Sequence, residues 1–214
     1  NTLFLLDAGL SNLEAFAANA FFTAGMVVFE VPTGVVADTW GRRTSYLLGT
    51  VTLSGSTFLY WALWVAGAPF WSWAVVSMLL GLGFTFFSGA VEAWLVDALH
   101  YAGHDGGLET VLGRGQMIGG AAMLGGSVAG GVIAQATSLG VPFLLRVGVL
   151  LAMFAVAYRL MHDLGFTPVK VGGPLQATRE VFDASLEHGL GSPPVRWMML
   201  AAPFASGVGF YTFY

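Results

Sequence analysis

Between Arg43 and Glu92 the chain runs for 48 residues without one Asp, Glu, Lys, Arg or His, and between Arg114 and Arg146 for another 31. Soluble domains carry about a quarter charged residues, whereas a helix crossing the hydrocarbon core of a bilayer needs about 20 apolar residues in succession. The whole chain follows the second pattern, with 56% hydrophobic and 9% charged residues among 214. Its 30 Gly, 17 Phe and seven Trp suit a bundle in which small residues let helices approach and aromatics mark the interfaces. The expected fold class is all-α, a polytopic membrane helix bundle, and the same numbers exclude disorder.

Length and helix breakers predict a stub at 2–6, then spans at 13–37, 44–66, 70–99, 112–136 and 140–162, and a further span starting at 196. The connections at 67–69 and 138–140 are very short. Seven of the eight basic residues (Arg42, Arg43, Arg114, Arg159, Lys170, Arg179 and Arg196) fall on the other side, which the positive-inside rule makes cytoplasmic. That side holds the 38–43 loop, the stretch 100–110 and the segment 163–195. The last reads as a cytoplasmic linker, with a helix from Pro174 to about His188. Arg146, about 9 Å into its span, reads as an arginine snorkelling to the outer interface. The opening lacks the basic flank of a signal peptide and 197–214 is uncharged to its end, so both ends read as cut and the chain as part of a longer protein.

Several function classes are excluded or unsupported. A net charge of −4 leaves no cationic surface for nucleic acid. There is no Cys for thiol chemistry. With Lys170 the single lysine, no phosphate-binding G-x-x-x-x-G-K-[ST] exists, and no Ser, His and Asp set shares a plausible site, so an enzyme is not expected. His100 and His104 stand beside Asp105 in a glycine-rich loop that reads as solvated, without support for a metal site. No cofactor is expected.

One short loop is more specific. In the decapeptide from Gly34 to Arg43, GVVADTWGRR, Asp38 and Arg42 are four apart and would share a helical turn, while Gly41 permits a sharp reversal. This G-x-x-x-D-x-x-G-R-R pattern resembles the loop between the second and third helices of the major facilitator superfamily of secondary transporters. The resemblance implies a six-plus-six helix plan. On it residues 1–162 are the end of helix 1 through helix 6, 163–195 is the linker, and 196–214 begins helix 7 and the second bundle. It also implies a gate network of Asp38, Arg42 and Asp97, with Gly34, Gly41 and Arg43 completing the motif and the outward-facing state held by ties between cytoplasmic helix ends.

Two further stretches match the family only in part. Gly126-Ser127-Val128-Ala129-Gly130-Gly131 looks like the G-P-x-x-G-G of proton-coupled antiporters, with Ser127 replacing the proline. Gly115 with Gly119 and Gly126 with Gly130 are also small-xxx-small pairs suited to helix packing alone. Gly81-Leu82-Gly83 looks like the end of a motif whose arginine should stand at Ser77, so that arginine's part in proton coupling is not carried over.

Ionisable residues at membrane depth are functional candidates because they are costly. Asn19, Thr23, Glu30 and Thr33 form a polar sector of helix 2, interrupted by Met26. Gly81, Thr85, Ser88 and Glu92 form an unbroken one on helix 4. Glu30, just ahead of Pro32, reads as structural near the cytoplasmic gate. Glu92 stands open between lining the substrate path and bonding a neighbouring helix. The expected function is proton-coupled efflux of a small amphipathic compound across the cell membrane by a monomer in the lipid bilayer, a preference to which Trp61, Trp64, Phe84, Phe87 and Trp94 would contribute. Uptake of a nutrient by the same fold, or a non-transporting sensor or scaffold, are the alternatives. Intramembrane acids argue against the scaffold.

Overall fold

A computed structural model describes residues 2–87, 90–103 and 106–168, together with Arg179, Asp183, Pro193, Arg196, Trp197 and Ala201. Every regular element among them is helical: α1 (Thr2–Asp7), α2 (Asn12–Trp40), α3 (Arg42–Ala66), α4 (Phe70–Thr85), α5 (Ala90–Tyr101), α6 (Leu108–Ala136) and α7 (Val141–Leu160). The chain divides into two units, Asn1–Val169 and Lys170–Tyr214. In the second unit, Arg179 Nε stands 3.7 Å from Asp183 Oδ2. The linker helix expected from Pro174 and the span expected from 196 otherwise lie outside the described residues.

Among the described residues four stretches are long and apolar enough to cross a membrane: Asn12–Trp40, Phe70–Tyr101, Leu108–Ala136 and Val141–Leu160. Their outward faces carry Val27, Val28, Val75 and Val149, each more than half exposed, as lipid-facing residues must be. The 44–66 span corresponds to α3, which is not among the four. The reason is that α3 buries hydroxyls: Ser45, Thr50, Ser54, Ser56 and Thr57 all face the bundle interior. Thr50 donates to the Leu47 carbonyl, Ser54 to Thr50 and Ser56 to Thr52, each at 2.7 to 2.8 Å. Bonding to the helix's own backbone lets these three hydroxyls sit in a dry interior without cross-helix partners, whereas Thr57 Oγ1 is buried with no hydrogen-bond partner among the described residues.

The core gathers where α2 runs along α4 and α3 packs on α4 and α7. Glycines set the closest approaches. A Cβ on Gly25 of α2 would stand 2.7 Å from the Met78 carbonyl oxygen, and one on Gly81 of α4 would stand 2.9 Å from the Met26 nitrogen. Gly83 faces the other way, against Leu53 of α3. Gly81 and Gly83 therefore serve packing on two sides of one helix. Ser77, at the place of the family's arginine, is fully buried with its Oγ 2.5 Å from the Tyr60 hydroxyl.

At the end opposite Arg42, α1 docks Phe4 on Phe143, with ring centroids 4.0 Å apart. Trp64 Nε1 donates to Asp7 Oδ2 at 2.9 Å. Helix α2 opens on a capping box in which Ser11 Oγ accepts the Glu14 amide and Glu14 accepts the Ser11 amide. It continues through Pro32, beside which Thr33 Oγ1 donates to the Phe29 carbonyl at 2.8 Å.

Three boundaries differ from expectation. Helix α2 reaches Trp40 rather than 37, so the 38–43 loop shrinks to Gly41 alone. Helix α6 begins at Leu108, four residues early, with Glu109 favourably placed in its first turn. The span at 70–99 is two helices, α4 ending at Thr85 and α5 starting at Ala90. Ser45 Oγ donates to the Phe86 carbonyl at 2.9 Å, and Gly49 leaves room for the Phe86 and Phe87 side chains, so α3 receives the end of α4.

Candidate functional site

The one-residue turn between α2 and α3 depends on Gly41, whose φ of 103° and ψ of 153° suit a residue without Cβ. The chain reverses so tightly that Asp38, on the last turn of α2, meets Arg42, the first residue of α3: Arg42 Nη1 donates to Asp38 Oδ1 at 2.6 Å. From α5, Asp97 Oδ2 approaches Arg42 Nε to 3.9 Å. One guanidinium thus lies between carboxylates from two other helices. Its side chain is 21% exposed, against 50% for Asp38 and 33% for Asp97, so this is a partly dry bridge in which Coulomb attraction is less screened than at an open surface. Arg42 Nε is buried and has no hydrogen-bond partner among the described residues. The Asp97 arm is an ion pair that a shift of about 1 Å would turn into a hydrogen bond.

Arg43, its neighbour in the motif, is occupied elsewhere. Its guanidinium donates from Nη2 to the Tyr158 carbonyl at 2.7 Å and lies over the Tyr158 ring, 5.1 Å from the centroid. Its backbone N–H donates to Asp163 Oδ1 at 2.8 Å. By sequence Asp163 belongs only to the linker expected at 163–195. The signal that would have found it is the start of α3 itself, with no side-chain cap and no acid in its first turn, because the free N–H groups of a helix end need acceptors from somewhere. Gly34 is half-buried on α2, and a Cβ there would meet nothing within 4 Å.

The polar sector of α4 is not continuous with Glu92. Thr85 is buried, with its hydroxyl donating to the Leu82 carbonyl at 2.8 Å, whereas Glu92 is exposed on α5. The expected single face rested on one unbroken helix, and α4 stops at Thr85. Ser88 lies outside the described residues, as do His104 and Asp105. Glu92 instead lines a cavity of about 570 Å³ with Met26, Phe84, Phe87, Leu95 and Gln116. There its Oε1 accepts from Gln116 Nε2 of α6 at 3.4 Å. Helix bonding and cavity lining are therefore combined in one residue.

On α2, Thr23 Oγ1 donates to the Asn19 carbonyl at 3.2 Å and Asn19 Nδ2 to the Ala15 carbonyl at 3.1 Å. Asn19 is half-buried, while Thr23 and Glu30 are exposed. The stripe is thus partly spent on its own helix. Arg146 is not turned outward to snorkel. Its guanidinium lies 5.7 Å from the Phe84 ring centroid, and Phe84 stands about 21 Å along α4 from Phe70 at 1.5 Å per residue. Gly126, Gly130 and Gly131 of α6, like Gly115 and Gly119, would meet nothing within 4 Å with a Cβ added, so close helix packing does not account for them among the described residues. No cluster of three or more metal-ligating side chains occurs there either.

Residues 2–214 match the family model described as Major Facilitator Superfamily. No curated protein matches the chain, and no solved structure does.

Proposed function

This chain belongs to the Major Facilitator Superfamily, and we propose that it is the gate-bearing first half of a proton-coupled exporter of small amphipathic compounds. Members of the family are membrane transporters of small-molecule substrates, and the all-helical unit 1–169 is a partial bundle of that fold. In our reading Asp38, Arg42 and Asp97 form a cytoplasmic gate: while Arg42 ties α2 and α3 to α5, that end of the bundle is shut and the outward-facing state is held. The observation that carries this is the placement of one partly dry guanidinium 2.6 Å from Asp38 and 3.9 Å from Asp97, since breaking such contacts on one face and remaking others elsewhere is what an alternating-access cycle requires.

Glu92 is the proton carrier in this half. It faces the 570 Å³ cavity beside Phe84, Phe87 and Leu95, where a protonatable carboxyl meets an apolar substrate surface, and Gln116 holds it in place. The partial antiporter motif in α6 supports export over uptake. The protein works as a monomer in the cell membrane, with residues 38–43 and 163–195 on the cytoplasmic side.

Proteoliposomes holding the intact transporter test this. A substrate added to them should dissipate an imposed pH gradient, and Glu92→Gln should abolish that proton movement while leaving binding measurable. Transport indifferent to pH but responsive to sodium or to the substrate gradient alone would reject proton antiport and favour uptake.

A further inference from the structure

Helix α3 begins badly by its own sequence. Its N-cap is Gly41, which offers no side chain, its first two residues are Arg42 and Arg43, and its first turn holds no acid. Two cations therefore stand at the positive end of a helix dipole, beside amide N–H groups that have no acceptor within the helix. The missing carboxylate comes from 120 residues away. Asp163, three residues past the end of α7, accepts the Arg43 amide on Oδ1 at 2.8 Å. Its carboxylate also fills the space above Gly41, where any Cβ would collide with it. Gly41 is thus required both for its backbone conformation and for the room it leaves.

The residues around Asp163 are fastened on the opposite side as well. Trp94 Nε1 of α5 donates to the His162 carbonyl at 2.7 Å. Gly165, with φ of 72°, lies so close to α5 that a Cβ would stand 3.0 Å from the Asp97 carbonyl oxygen. The Phe166 ring lies 5.9 Å from the Arg42 guanidinium. Residues 161–166 therefore form a strap from the end of α7 that touches both the start of α3 and the end of α5, the two helices whose Arg42 and Asp97 must keep register.

We propose that Asp163 is a positioning residue of the gate: it caps α3 from outside the helix and holds Arg42 facing Asp97 only while the strap is docked. Release of Asp163 frees the start of α3 and loosens the Arg42 bridge. The inference rests on the gate reading of Asp38, Arg42 and Asp97, and its test separates the two.

Hydrogen exchange on the intact transporter reads the cap directly. Asp163→Ala should speed exchange of the amides at 42–46 roughly five- to tenfold, the loss of one helix cap. Asp163→Asn keeps an acceptor oxygen but not the charge, and should give a smaller rise of about two- to threefold. A single cysteine at Leu95, in the cavity beside Glu92, reads the gate. Its alkylation from the Arg42 end should accelerate in the same order, Ala above Asn above the parent. Unchanged exchange at 42–46 in a folded Asp163→Ala variant would overturn the cap. Faster exchange with unchanged alkylation would reduce Asp163 to a structural role and overturn the positioning. If Asp163→Ala does not fold, Asp163→Asn decides alone, no rise in exchange or in alkylation overturning the proposal. Asp38→Asn is measured beside them: unchanged alkylation and transport in that variant defeats the gate reading itself, whatever Asp163 does to the amides.

Discussion

The Tyr60 hydroxyl of α3 and the Ser77 hydroxyl of α4 lie 2.5 Å apart with both residues almost wholly buried. Tyr60 also stacks edge-on against Trp73, with centroids 5.3 Å apart, so the pair closes a filled layer between two helices. No cavity remains at this position for the arginine that the family resemblance calls for. Ser77→Arg should accordingly fail to insert as a folded bundle, because a guanidinium placed there has no room and must bury a charge. Membrane abundance measured by immunoblot should fall at least tenfold. Normal abundance with gained proton coupling would show that the layer yields.

Glycines divide into those the bundle needs and those it does not. Gly25→Ala should destabilise by about 1–3 kcal/mol, because the added methyl strikes the backbone of Met78 rather than a side chain that could rotate away. Gly55, exposed on α3 with nothing within 4 Å, should gain up to about 1 kcal/mol as alanine through helix propensity. Thermal unfolding of the two variants in one detergent should move in opposite directions, and equal shifts would contradict the α2 to α4 contact.

How much of this the sequence could reveal depended on separation along the chain. The meeting of Asp38 and Arg42 was legible from their closeness in sequence, but not its route: they do not share one helical turn, and the Gly41 reversal brings the end of α2 to the start of α3. The bundle itself was legible because uncharged runs of 48 and 31 residues leave few folds open. The stop of α4 at Thr85 was not, since Phe86 and Phe87 are as apolar as the helix they end and hydropathy passes straight over them. The hydroxyl face of α3 was likewise hidden: polar residues pointing inward invert the usual rule, and the hydrogen bonds to Leu47, Thr50, Thr52 and Phe86 show why four of the five are tolerated. Asp163 was missed because its partner is 120 residues away. On the polar sector of α2, spacing alone did not reveal that Thr23 spends its hydroxyl on its own backbone.

The cations gather at one end of the bundle. The contact of Arg43 with Tyr158 places the start of α3 and the end of α7 at one end of the bundle, and that end also holds Arg42 and Arg159. If it is cytoplasmic, a cysteine at Trp40, which is 59% exposed, should resist an impermeant thiol reagent in intact cells. One at Ala66, exposed at the opposite end of α3, should react. The reverse labelling pattern would invert the topology and place the candidate gate outside.

The two arms of the Arg42 bridge differ in length, and their functional weights should differ with them. Asp38 makes a charged hydrogen bond at 2.6 Å across a single turn, while Asp97 stands at 3.9 Å from a buried Nε that has no hydrogen bond among the described residues. Removing the shorter contact strips Arg42 of the acid that hydrogen-bonds it, so Asp38→Asn should lower initial transport rates in proteoliposomes at least about tenfold with abundance within about twofold of the parent. Asp97→Asn should cost less, about three- to fivefold, because the attraction lost across the longer gap is smaller. The double variant is the informative one. Since both carboxylates act through one guanidinium, their effects should not add, and the double variant should be little worse than Asp38→Asn alone. Rates that multiply would mean that the two acids work independently, and Arg42 would then be a surface cation rather than the tie between helices.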